Sequence, residues 1–291
     1  MNDTRFELPT DGDALRARVE GVARHAAAIG ALQPIATRFE RVDEGGIGYA
    51  LRVVDNLRRK QAAASRPPAG GKPANPFLPY EQDLYVAHVA PAHVLLLNKF
   101  NVIEPHLLLV TAAFEPQSAP LSVADFAAAL SLLQRLDGLL FYNGGGSAGA
   151  SQPHKHLQWV PCSLLPGQAE LPIEARVRAG LGAPGQIRRA DLPYTQAVAR
   201  CPDAPDAPTV ADLYRSLLRA VGIAPDAPVC DGYNWLMTRD WMMVVPRRRE
   251  DWNGLSINAL GFAGALLARN DDEAARMRAA GAGEILSAVS G

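Results

Sequence analysis

Residues 139–161 read Leu-Leu-Phe-Tyr-Asn-Gly-Gly-Gly-Ser-Ala-Gly-Ala-Ser-Gln-Pro-His-Lys-His-Leu-Gln-Trp-Val-Pro: a strand-like segment, a glycine-rich loop, and a second strand-like segment ended by Pro161. Side chains on a strand alternate between faces. His154, His156 and Gln158 therefore project one way and Lys155 the other. A glycine loop leaves backbone N–H groups free to hold phosphate oxygens. Two imidazoles and an amide beside such a loop supply a nucleophile, a helper and a phosphate cradle, the parts that nucleotidyl transfer requires. A His-x-His pair taken alone would serve equally as metal ligands. The loop lacks the Gly-Lys-Ser/Thr of a P-loop. It also leads into a strand rather than a helix, unlike a dinucleotide-binding turn.

The rest of the chain predicts an antiparallel sheet with helices, an α+β pattern. Ala, Leu and Val recur at helical spacing over 13–32. Residues 47–54 predict a strand, and three more are expected near 83–89, 93–99 and 105–111. Ser122-x-x-Asp125 resembles a capping box opening a helix to about 138. Residues 61–76, rich in Ala, Pro and Gly, predict a mobile loop. Residues 162–208 predict an excursion off the sheet with one helix near 172–180. A helix from Thr209-x-x-Asp212 to about 220 brings the chain back to a hairpin, 232–238 and 241–246. Helices over 257–269 and 271–288 complete the pattern.

With 48% hydrophobic residues in a chain of 291, a sizeable core is possible; the net charge of −1 gives no global field for nucleic acid. The four lysines, Lys60, Lys72, Lys99 and Lys155, all fall between 60 and 155, where a local cationic cleft for polyphosphate would need them. Cys162, Cys201 and Cys230 suggest neither a disulfide framework nor a zinc site. The N-terminus has no basic-then-apolar signal, and the longest apolar run, near 257–268, is too short and too broken by glycine to span a bilayer. A cytoplasmic protein with no membrane partner is expected.

Gly149–Gln158 resembles the active-site signature of the ATP adenylyltransferases, also called diadenosine tetraphosphate (Ap4A) phosphorylases. They are a branch of the histidine-triad (HIT-like) and galactose-1-phosphate uridylyltransferase (GalT-like) superfamily. Leu97–Thr111 is similar to that family's central strand pair, Tyr233–Arg247 to its C-terminal hairpin, and Ser256–Leu267 to the helix that follows. The resemblance implies a HIT-like/GalT-like antiparallel sheet with flanking helices and a C-terminal extension. It divides the chain into an N-terminal part, 1–165, and a C-terminal adenylyltransferase part, 166–291, packed as one unit.

It further implies that His156 carries a covalent AMP, with His154 and Gln158 assisting. The substrate contacts it implies are Lys60, Asn98, Lys99, Asn143, Gly149, Ala150, Ser151, Gln152, Asn234 and Thr238. Arg247-Arg-Arg249 is either a holder of distal phosphates or an exposed basic turn. The reaction implied is Ap4A plus phosphate giving ATP and ADP. A Mg²⁺ or Mn²⁺ accompanies the multiply charged nucleotide; with no carboxylate cluster dedicated to a metal, it rides on the phosphates, and a monomer is expected. Three alternatives stay open on the sequence: a hexose-1-phosphate uridylyltransferase, an asymmetric Ap4A hydrolase, and a non-enzymatic regulator that binds dinucleoside polyphosphates.

Overall fold

The computed structural model describes residues 6–54, 75–227 and 232–291. Lys60, Lys72, Cys230 and most of the predicted 61–76 loop lie outside the described residues.

Helix α1 (Gly12–Ala28) begins where the Asp11 carboxylate accepts from the Asp13 amide, and it buries Leu15, Val19, Val22 and Ala26 at helical spacing. Burying each of the larger three contributes on the order of 1.5–3 kcal/mol. Strands β1 (Thr37–Glu44) and β2 (Ile47–Val54) follow as a hairpin. Then come β3 (Tyr85–Val89), β4 (His93–Leu97) and β5 (Leu107–Thr111). Helix α2 (Val123–Leu133) opens on a complete Ser122–Asp125 capping box, as its sequence predicts, and stops short of 138. Strands β6 (Leu139–Gly144) and β7 (His156–Val160) flank the glycine loop.

The predicted excursion is corrected in part. Helix α3 (Glu174–Gly180) is present, but β8 (Ile187–Arg188) and β9 (Ala197–Arg200) join the main sheet instead of leaving it. Val198 alternates with the buried Ala197 and Ala199, so both faces of β9 are apolar and suit the interior of a sheet. Helix α4 (Ala207–Ala220) is capped by Asp206, three residues before Thr209. The hairpin is β10 (Tyr233–Met237) and β11 (Trp241–Pro246), followed by the short β12 (Asp251–Trp252) and β13 (Leu255–Ser256).

The predicted 257–269 helix is a single turn, α5 (Ala259–Phe262). Gly264, with φ +100°, ends it, and β14 (Ala265–Ala268) runs parallel to β2. The predicted 271–288 helix divides at Gly281, φ +82°, into α6 (Asp271–Ala280) and α7 (Ala282–Val289). Both breaks fall on glycines whose backbone sits where other residues are strained.

Nine strands form one antiparallel sheet in the order β3-β4-β5-β7-β6-β10-β11-β9-β8. A second sheet, β1-β2-β14, packs with the C-terminal helices. One face of the large sheet, carrying Leu140, Tyr142, Leu157 and Trp159, is covered by α1, α2 and α4. The other carries Leu139, Phe141 and Val160 beneath the small sheet and C-terminal helices, and Val94, Leu96, Leu108 and Val110 beneath Phe77. Strand alternation puts Asn98, His106, Asn143, His156, Gln158 and Asn234 on this second face. They occupy the seam between its two apolar clusters.

Candidate active site

The seam exists because β6 and β7 pair only from Leu139↔Val160 to Phe141↔Gln158. Beyond that, the buried Gln117 side chain takes the place of the ladder. Its Oε1 accepts from the His156 amide at 2.8 Å, and its Nε2 donates to the carbonyls of Asn143 (3.0 Å) and His156 (3.3 Å). The strands thus part without orphaning their backbone groups, and the glycine loop spans the opening.

His156 is 3% exposed, with its ring 5.3 Å from that of Phe77. Its Nδ1–H donates to the His154 carbonyl at 2.8 Å. That fixes the tautomer and leaves the Nε2 lone pair for attack. Burial pushes its pKa down to about 4, so the ring is neutral near pH 7. His154 thus meets His156 through its backbone carbonyl. The His154 ring is anchored separately. Its Nε2–H donates to the Thr111 carbonyl at 2.9 Å, its Nδ1 accepts from Asn75 Nδ2 at 3.1 Å, and its own pKa is lowered by burial.

Gln158 is oriented by a chain that begins at Asn98. Asn98 Nδ2 donates to His106 Nδ1 at 3.2 Å, and His106 Nε2–H donates to Gln158 Oε1 at 2.9 Å. Burial pulls the His106 pKa to about 4, which keeps the ring neutral and the chain directional. With its oxygen engaged, Gln158 presents the amide nitrogen. A second chain starts at Arg247. Its Nη1 donates to Asn234 Oδ1 at 2.6 Å, and Asn234 Nδ2 donates to Asn143 Oδ1 at 2.8 Å. Asn143 Oδ1 also accepts from the Ala259 amide at 3.0 Å, so Asn143 too is left with its nitrogen as the available group. The site therefore offers one lone pair, on His156, and two oriented amide donors.

Gly149 has φ +80°, and a Cβ there would lie 2.7 Å from the Ile257 carbonyl. The loop passes this close to the C-terminal part only because the residue is glycine. Ala150 and Gln152 are half-buried and Ser151 is exposed, on the segment leading into His154. Lys99 is turned toward Glu81, with Nζ 2.9 Å from both carboxylate oxygens. Thr238 lies in the β10–β11 turn, where Oγ1 accepts from the Asp240 and Trp241 amides. That is four residues along the strand from Asn234, roughly 13 Å away.

Lys155 faces the opposite side, as alternation requires. Buried there, Nζ meets Glu115 (2.6 Å) and Asp125 (3.1 Å), and Asp125 holds His93 at 2.8 Å. Lys155 and the His93–Asp125 pair clamp the strand that carries His156 to α2. Gln117 and Asn75 escape a reading of the sequence alone. His106 and Arg247 lie within the recognised segments Leu97–Thr111 and Tyr233–Arg247, but the sequence does not show that they orient Gln158 and Asn143.

Among the described residues no group of three or more His, Cys, Asp or Glu side chains converges to hold a metal, and no helix is long and apolar enough to cross a membrane. Residues 5–179 match the family model for the Ap4A phosphorylase N-terminal domain, and 190–291 that for the ATP adenylyltransferase C-terminal domain. Two proteins of Saccharomyces cerevisiae are similar. Protein APA1 is 31% identical over 201 residues, 62% of this chain and 63% of its own length. Diadenosine 5',5'''-P1,P4-tetraphosphate phosphorylase 2 is 30% identical over 230 residues, 69% of this chain and 71% of its own. The alignment thus spans a little under two thirds of the first. The crystal structure of yeast Ap4A phosphorylase Apa2 superimposes with a TM-score of 0.77 at 23% identity, covering 94% of this chain and 92% of that one. A crystal structure of the same enzyme in complex with Ap4A gives 0.76 at 22% identity, covering 94% and 95%.

Proposed function

The chain belongs to the family of Ap4A phosphorylases and ATP adenylyltransferases, and we propose that it converts Ap4A and inorganic phosphate to ATP and ADP through an AMP–His156 intermediate. The observation that carries this reading is the buried, neutral His156, with Nδ1–H committed to the His154 carbonyl and the Nε2 lone pair free.

Nε2 attacks one α-phosphorus, forming a P–N bond while the P–O bond to the departing ATP breaks. An oxygen of inorganic phosphate then attacks the same phosphorus, breaks the P–N bond and yields ADP. One displacement becomes two, each with a good leaving group. The positive charge that develops on the ring is stabilised by the His154 carbonyl. Gln158 and Asn143 donate their amide N–H groups to non-bridging phosphate oxygens, and the backbone of 149–152 cradles the chain of phosphates. Gln158 cannot shuttle a proton, so the intermediate waits for phosphate instead of being lost to water. Any Mg²⁺ or Mn²⁺ is carried by the polyphosphate, which supplies its own oxygen ligands. Lys60 and Lys99 are cationic contacts to the phosphates in this reading, and the protein acts as a monomer in the cytoplasm.

Product analysis tests the reading. Ap4A and Mg²⁺ are incubated with the protein, with and without phosphate, beside a His156→Ala control. Phosphate-dependent ATP and ADP, lost in the control, are expected. ATP and AMP formed without phosphate would make the protein a hydrolase. No turnover would redirect attention to uridylyl substrates or to a binding-only role.

A further inference from the structure

The Arg247 side chain is 5% exposed and spends every N–H within the protein. Nε donates to the Val289 carbonyl at 3.3 Å. Nη1 reaches Asn234 Oδ1 at 2.6 Å and the carbonyls of Ile257 (2.8 Å) and Ala148 (3.3 Å). Nη2 reaches the carbonyls of Arg249 and Glu250, each at 2.9 Å. Its ring neighbour is Phe262, 5.3 Å from the guanidinium carbon. These hydrogen-bond partners are carbonyl and amide oxygens; the exposed Glu250 carboxylate acts on the guanidinium through space, without a bond to it. Burial lowers the guanidinium pKa to about 10, which still leaves it charged near neutrality.

A buried charge with no carboxylate bonded to it is costly, and a structural staple of this kind could be built from neutral groups. Ala148, which Arg247 holds, is the residue before Gly149. Asn234, which it orients, sets the direction of Asn143. The unpaired charge therefore sits one residue behind the loop, and its bonds decide which atom of Asn143 faces the seam.

We propose that Arg247 is a positioning residue for polyphosphate. Its charge, bonded to no carboxylate, attracts the phosphate chain through the glycine loop, and its bonds hold Asn234 and Asn143 in their donor-outward arrangement. The anionic substrate supplies a counter-charge beyond that of the exposed Glu250, which acts on Arg247 only through space. This rests on the reading that the seam binds nucleoside polyphosphates, and it goes further by assigning that affinity in part to a residue that does not touch the ligand. Charge acting from behind a loop discriminates by the number of phosphates, whereas a staple affects all ligands alike.

Binding of AMP, ADP and ATP is measured by calorimetry to the full chain carrying His156→Ala, alone and with Arg247→Met or Arg247→Lys. At a separation of about 10 Å and intermediate screening, each added phosphate charge should feel Arg247 by roughly threefold in affinity. With Arg247→Met the losses are expected to grow from AMP to ATP by about that factor per step. Arg247→Lys, which keeps the charge but not the fork, is expected to weaken all three by a common factor while preserving the spread between them. If the Met variant does not fold, Arg247→Gln, which also removes the charge, takes its place with the same expectation of losses growing from AMP to ATP, and collapse of the spread in the Lys variant overturns the proposal. Equal losses across the series in the Met variant, or none, would also overturn it. Failure of the parent with Arg247 intact to bind any of the three would overturn both this proposal and the polyphosphate reading of the seam.

Discussion

Replacing His106 by Leu should cripple the reaction by disorienting Gln158. Leu fills nearly the volume of the imidazole and suits the apolar side of the pocket, where the ring centre of His106 lies 6.0 Å from that of Phe141. What is lost is the 2.9 Å bond that holds Gln158 Oε1 and the acceptor for Asn98 Nδ2. Leaving Asn98 Nδ2 without its acceptor costs about 1 kcal/mol of stability. The kinetic cost is larger. Gln158 can then turn its oxygen toward the phosphate, replacing a donor with a repelling acceptor. One hydrogen bond to a charged oxygen contributes roughly 1.5–3 kcal/mol, so kcat/KM should fall about 10- to 150-fold. The assay is steady-state ATP release from Ap4A at saturating phosphate, run on His106→Leu, Gln158→Ala and the double variant. If His106 acts through Gln158, His106→Leu should cost less than about threefold once Gln158 is already Ala. An undiminished loss in that background would refute the relay.

Other perturbations follow from the same geometry. Gly149→Ala forces a Cβ to within 2.7 Å of the Ile257 carbonyl at φ +80°. It should raise KM for Ap4A and lower thermal stability by roughly 1–3 kcal/mol, read by kinetics and calorimetry. Lys155→Met leaves the buried Asp125 with only His93 and Ser122 as partners and should destabilise the chain by about 1–3 kcal/mol, seen as a fall in Tm. Stability should also decline with acid. His106 and His156 titrate near pH 4 in the fold but near 6.5 when unfolded. Between those values the unfolded chain binds more protons, so stability falls as pH drops from about 6.5 to 4, by up to about 1.4 kcal/mol per unit for each ring. Urea unfolding across that range should lose part of its slope in the His156→Asn variant.

What the sequence made legible was governed by local periodicity. The i, i+2, i+4 spacing of His154, His156 and Gln158, the capping box at Ser122 and the Tyr233–Pro246 hairpin are all short-range patterns, and each element is present. What it hid depends on groups far apart in the chain. Gln117 reaches Asn143 and His156 across 26 and 39 residues, and Arg247 reaches Ala148 across 99. No spacing rule announces such pairs. The 257–269 segment was misleading for another reason. An apolar run with little periodicity suits a helix or a buried strand, and pairing of Ala265–Ala268 with β2 decided for the strand. The run Arg247-Arg-Arg249 illustrates the limit at one site: its three side chains look alike in the sequence, yet the first is buried and the others are exposed.

The central claim is that His156 Nε2 takes the adenylyl group. Intact-protein and peptide mass spectrometry on the chain mixed with Ap4A in the absence of phosphate tests it most directly. The account predicts one AMP per chain, on the peptide containing His156, discharged as ADP when phosphate is added and absent from His156→Ala. Steady turnover with no adenylylated protein, or AMP carried on a different residue, would contradict it.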